Sequence, residues 1–146
     1  MDYIIVFQGL YCEKCYKKYS NAYNRWCKKC SIDYLKENFT KWTSKNKKID
    51  KFIQKMQLNI SDYNDKIFEW VPYNQFINIK ELNKDGFFTL YSVKWKNGPL
   101  YWDTRNKKCV RRSDIEIVLK DPHNLQSIDE FLNEVCNLYT KLHVFF

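Results

Sequence analysis

The spacing of apolar and polar positions changes character along the chain, and the back half carries the clearer pattern. Residues 76–82, Phe76-Ile77-Asn78-Ile79-Lys80-Glu81-Leu82, alternate well enough to predict a half-buried strand. A short turn-like segment around Gly86 comes next, and residues 89–95 predict a second strand close enough to pair with the first as a hairpin. Leu100-Tyr101-Trp102 and Cys109-Val110 flank a polar stretch and predict an inserted hairpin with a basic tip at Arg105, Lys107 and Lys108. The β-branched density of residues 114–120 predicts a third strand of the main sheet, its apolar run leading into Lys120, with Pro122 as its stop. From Ser127 the period lengthens. Ile128, Phe131, Leu132, Val135, Leu138 and Tyr139 recur at three- and four-residue steps behind Asp129 and Glu130, which predicts an amphipathic helix.

The front half reads as short helices. Ile32, Leu35, Phe39 and Trp42 form one stripe, with Ser31 or Asp33 expected to cap it. Ile49, Phe52, Ile53 and Met56 form a second, with Asp50 near its start. Residues 59–66 read as a polar connector, and Phe68-Glu69-Trp70-Val71-Pro72-Tyr73 as an aromatic segment that docks against the strand-rich region downstream. Residues 1–11 are apolar and read as a short strand or a frayed extension. Residues 142–146 read as a strand just begun, whose exposed apolar edge points to a truncated product or fragment. The expected class is α+β: a helical module over residues 1–58, a linker over 59–75, and an antiparallel sheet with one helix over 76–146.

Composition adds two points. An apolar content of 45% and an aromatic content of 18% supply a core, which excludes wholesale disorder. The net charge of +8 is concentrated at the front, because residues 11–55 hold thirteen Lys/Arg against four Asp/Glu while residues 56–146 hold twelve of each. Such asymmetry either forms a solvated lysine surface or attracts an anionic partner: nucleic acid, an acidic protein or an acidic lipid surface. Arginine is scarce there and the aromatics are not spaced as a stacking platform, so any nucleic-acid binding is expected to be weak, nonspecific and salt-sensitive. No run approaches the ~20 apolar residues that cross a bilayer. The first residues lack the pattern of a secretory signal, so an intracellular, cytoplasmic chain with reduced thiols is expected.

The strongest chemical signal is Cys12-Glu13-Lys14-Cys15 followed, after eleven residues, by Cys27-Lys28-Lys29-Cys30. A two-residue gap lets both sulfurs of a pair face one point, and two such pairs complete a four-thiolate zinc site. With no open coordination position such a zinc is structural. Lys14, Lys17, Lys18, Lys28 and Lys29 stand where they would offset its negative charge and depress the thiol pKa values. A redox dithiol or unliganded thiols are the other readings of these cysteines. Tyr16 and Ser31 follow the second cysteine of each pair, where metal knuckles often carry glycine. Cys109, Cys136, His123 and His143 lack partners at ligand spacing and read as incidental.

Hairpin, third strand ending in Lys120, and a helix bearing Phe131-Leu132-Asn133-Glu134 together resemble the front of a protein-kinase N-lobe. With the cysteine pairs upstream, the chain resembles an expanded fungal family of kinase-like proteins. The resemblance implies that Lys120 faces nucleotide phosphates with Glu134 holding it, and that Leu82, Leu90 and Val118 line the adenine slot. It also places Asn83, Asp85 and Phe88 at the three glycine positions of the phosphate loop, where a carboxylate and a bulky ring oppose the phosphates. Neither a His-Arg-Asp nor an Asp-Phe-Gly motif occurs in these 146 residues. The expected function is therefore a pseudokinase-type lobe with a structural zinc, degenerate ATP binding and a protein partner. A zinc-stabilised basic module binding nucleic acid or an acidic protein is one alternative, and a fragment of an active kinase is another. A purely structural Lys120–Glu134 ion pair is the plain reading of those two residues.

Overall fold

The structure, a computed structural model, describes residues 9–142, with backbone alone for 138–142. The expectations for residues 1–8 and 143–146, including His143, lie outside the described residues, as do the side chains of Leu138 and Tyr139. Three helices and five strands succeed the front loops: α1 (Lys28–Glu37), α2 (Lys47–Leu58), β1 (Phe76–Lys84), β2 (Phe88–Trp95), β3 (Leu100–Asp103), β4 (Lys108–Arg111), β5 (Ile115–Pro122) and α3 (Ile128–Leu142). Short 3-10 turns occupy Phe39–Lys41 and Tyr73–Gln75. The class is α+β, with an antiparallel sheet ordered β1-β2-β5 and a separate β3-β4 hairpin. None of the described helices is long and apolar enough to cross a membrane.

Local chemistry explains most boundaries. The side chain of Asn46 caps α2 by accepting from the N–H groups of Lys48 and Ile49. Asp50 in the first turn reaches back to accept from the Ser44 N–H at 2.7 Å. Ser127 accepts from the Glu130 N–H at 3.1 Å at the start of α3, while the Glu130 carboxylate accepts from the Gln126 N–H. Helix α1 departs from expectation. It begins at Lys28 on Cys27, without a side-chain cap, so neither Ser31 nor Asp33 caps it, and Ser31 is buried inside the helix. The chain enters α1 directly from the cysteine loop, so the loop sets the helix start. Strand β5 likewise runs two residues past Lys120 and includes Pro122, which is tolerated at the strand's last position.

Strand β1 forms but is not half-buried. Every residue after Phe76 is exposed. Its pairing with β2 slips twice, between Ile77 and Lys80 and between Glu81 and Asn83, and Asn78 takes a left-handed φ of 53°. These bulges break the two-residue alternation, and β1 is an edge strand with no described element over it.

The main core lies where the front module meets the inserted hairpin. Trp26, Leu35 and Ile60 are buried together, with Ile32, Tyr34, Phe39, Trp42, Tyr63, Ile67 and Trp102 packed around them. Trp102 comes from β3, so the hairpin closes the front core instead of standing apart from it. The 59–75 segment is anchored near its middle, at Phe68 and Glu69. The buried Gln57 amide donates to the Phe68 carbonyl at 2.7 Å, and Glu69 pairs with Arg111 of β4 at 2.7 Å while accepting from the Leu100 N–H. Phe131, Leu132 and Val135 of α3 face Ile49, Phe52 and Ile53 of α2 across a cavity of about 250 Å³. Lys48 and Asp129 bridge the same two helices at 3.2 Å.

Two substitutions test this packing by urea unfolding. Leu35 has 0% exposure, so Leu35→Ala should cost about 3 kcal/mol. Gly98 has a left-handed φ of 66°, and a Cβ there would lie 1.6 Å from the Arg112 carbonyl oxygen, so Gly98→Ala should destabilise by at least ~2 kcal/mol. A loss below ~0.5 kcal/mol for either would contradict the packing described.

Candidate metal centre

Two loops built by short-range hydrogen bonds bring the cysteines together. In the first, Tyr11 and Lys18 form an isolated bridge, the Cys12 N–H donates to the Lys17 carbonyl, and the Tyr16 N–H donates to the Cys12 carbonyl at 2.8 Å. In the second, Asn21 bridges Trp26, and Cys27 and Cys30 straddle the entry to α1. Tyr19 packs against the cysteines as the one tyrosine of these loops that is buried.

All four Sγ atoms lie within 4.8 Å of one another. Cys12 and Cys30 are 3.7 Å apart and Cys15 and Cys27 3.5 Å apart, far beyond disulfide bonding. With Zn–S bonds of ~2.3 Å, the edge of a tetrahedral four-thiolate site is ~3.8 Å, so the shorter edges already have the dimension a zinc ion requires. Four thiolates on a closed cluster fit zinc, and the residues that would hold it are Cys12, Cys15, Cys27 and Cys30. Such an ion would cross-link the two loops and carry no reaction.

Electrostatics divides the four thiols. The main-chain N–H of Lys17 is the largest influence on Cys15 and, against burial, brings its pKa down to about 7. Burial pushes Cys27 up, opposed by the Cys30 N–H, and burial pushes Cys30 up further. The expectation that lysine charge would depress the thiols is thus corrected for Cys15: the first cause is the backbone donor of Lys17 and not an ammonium, because the loop turns its amides inward and its lysines outward. Lys29 is chiefly held by Asp33 and only secondarily by Cys15 and Cys30.

One tie has no sequence signal. Lys107, at the tip of the β3-β4 hairpin, pairs with Glu13 at 2.7 Å, which docks the hairpin on the first cysteine loop. The two residues are 94 positions apart, and nothing in either local pattern marks the contact.

Around the residues expected to meet nucleotide, Lys120 Nζ donates to Glu134 at 3.1 Å and also lies 4.6 Å over the Phe88 ring. Leu90 is half-buried and pairs opposite Lys120 across β2 and β5, while Leu82 and Val118 are exposed at 52% and 51%. Asp85 closes the β1-β2 turn by accepting from the N–H groups of Phe87 and Phe88 at 2.7 and 2.9 Å, which holds its carboxyl below the usual range. The loop amides are therefore already taken by a carboxylate of the same loop. Thr89 and His123 bond at 2.8 Å, so His123 ties β2 to the end of β5. Buried Cys109 has its thiol pushed up to about 12 by desolvation.

No protein-family model, no curated protein and no solved structure matches this chain.

Alkylation followed by mass spectrometry should separate the thiols. In the zinc-loaded chain exposed Cys136 should react first, Cys109 should stay inert, and the four clustered cysteines should react only after a strong chelator is added. Rapid modification of all four clustered thiols before chelation, with no zinc by elemental analysis, would refute the site.

Proposed function

We propose that the chain is a zinc-stabilised, non-catalytic binding protein whose back half is a degenerate kinase-type N-lobe. The observation that carries the zinc half is the set of four sulfurs within 4.8 Å. The N-lobe half is supported by the antiparallel β1-β2-β5 sheet followed by a helix whose Glu134 meets Lys120 at 3.1 Å. Zinc here is structural, and its work is to hold the front loops against the core and the hairpin.

Loss of catalysis follows from the residues around Lys120. In a working kinase site the loop amides approach the phosphates and a lysine supports them. Here Asp85 takes the amides of Phe87 and Phe88 and adds negative charge, and the Phe88 ring lies against Lys120, 4.6 Å from its Nζ. No His-Arg-Asp or Asp-Phe-Gly motif supplies a base or a magnesium ligand within these residues. The Lys120–Glu134 pair then acts as a partly exposed strand-to-helix clamp, a contribution of at most ~1 kcal/mol.

Calorimetry with ATP and magnesium should show no binding, or binding only in the millimolar range, equivalent to about 4 kcal/mol. No phosphotransfer to a generic acceptor should be detected. Micromolar affinity that disappears in Lys120→Met would overturn the non-nucleotide reading and make the lobe a nucleotide sensor.

A further inference from the structure

The three outward-facing tyrosines of the cysteine loops remain without a structural task. Tyr16 and Tyr23 are 81% and 96% exposed and Tyr11 is 50% exposed, whereas Tyr19 of the same loops is buried against the cysteines. Tyr16 sits in a left-handed conformation, φ 58°, immediately after Cys15, and Arg25 in another, φ 48°, at the end of the second loop's turn. An aromatic residue in that conformation is strained, and glycine would remove the strain at no cost to packing, since the ring touches little of the fold. Near the tyrosines in sequence, Lys14, Lys17, Lys18, Arg25 and Lys28 are all exposed, and none forms an ion pair among the described residues. The acids nearby pair first with other lysines, Glu13 with Lys107 and Asp33 with Lys29, and feel Arg25 and Lys14 only as weaker charges. The result is a pair of loops, which a metal would make rigid, that carry exposed rings and exposed cations close together in sequence.

We infer that this face binds single-stranded nucleic acid, with bases stacking on Tyr16 and Tyr23 and phosphates meeting Lys14, Lys17, Lys18, Arg25 and Lys28. The inference rests on the reading of the four cysteines as a metal site, because the loops present the rings only when closed. Charge alone would suit any polyanion. Exposed rings are of use to a strand whose bases are unstacked; a duplex keeps its base faces covered, and an acidic peptide has no faces to stack. Sequence preference should be slight, since every base has a stacking face, and the affinity should fall with salt. The aromatics, scattered in sequence, gain this meaning only from their exposure on the folded loops.

Fluorescence anisotropy of the zinc-loaded full chain with a labelled mixed-sequence 12-nucleotide strand, at two salt concentrations, tests the inference. The strand should bind at least tenfold more tightly than a duplex of the same sequence or than polyglutamate. Tyr16→Gly, which relieves the strained backbone, and Tyr23→Ala should each weaken binding about tenfold while retaining one zinc per chain. Lys17→Gln combined with Lys18→Gln should reduce the slope of affinity against salt. Equal binding of strand, duplex and polyglutamate, or unchanged affinity in both zinc-retaining tyrosine variants, would overturn the inference and leave a charge-only surface or an acidic protein as the partner. Zinc content measured on the same samples keeps failure of the metal site distinct from failure of the stacking face.

Discussion

The convergence of four cysteine sulfurs is the constraint on which the front of this molecule depends. Apart from the cysteines, only Tyr19 and Trp26 are buried between residues 11 and 30. Ordering backbone costs ~1–2 kcal/mol per residue. Burial of two aromatic side chains returns only a few kcal/mol, and the local turn hydrogen bonds add little net. A four-thiolate zinc site supplies on the order of 10–16 kcal/mol in small peptides at neutral pH. Metal ligation is the largest favourable contribution these loops could gain, and the sulfur spacing is compatible with it.

Closure of the loops propagates through the chain by position. Trp26 precedes Cys27 directly, so the second loop delivers its indole into the core with Leu35 and Ile60. Cys27 starts α1, and α1 lays Ile32 and Leu35 on that core. Trp102 covers it from the hairpin, while Lys107 returns the hairpin tip to Glu13 beside the first cysteine pair. The Glu69–Arg111 pair, with the Glu69 side chain only 5% exposed, then ties the connecting segment to the same hairpin. Cysteine cluster, core and hairpin thus form one continuous packing unit, and the β1-β2-β5 sheet extends from it with an uncovered edge.

How much of the fold is legible in the sequence depends on how local each signal is. Paired two-residue cysteine gaps, the Ser127 start of α3, and the strand pattern around β2 and β5 are encoded within a few positions, and the fold reproduces them. The start of α1 is easily misplaced because Ser31 and Asp33 look like caps, while the real entry is set by the cysteine loop. Phe76, Ile77, Ile79 and Leu82 resemble a half-buried alternation, but two bulges and the lack of a covering layer expose β1. Contacts such as Trp102 on Leu35's cluster and Lys107 on Glu13 join residues tens of positions apart, and no local pattern announces them. The nucleotide resemblance is carried by Lys120 and Glu134, whose side chains do meet, yet the loop chemistry around Asp85 becomes visible only with its hydrogen bonds in place.

The central claim is that metal ligation holds the front module and, through it, Trp26 in the core. Thermal unfolding of the zinc-loaded chain, followed by tryptophan fluorescence and near-ultraviolet circular dichroism with and without a strong chelator, tests it most directly. Chelation should lower the midpoint by well over 10 °C and abolish the near-ultraviolet signal at room temperature, with recovery on addition of one equivalent of zinc. An identical midpoint and an unchanged spectrum after complete removal of metal would contradict the account.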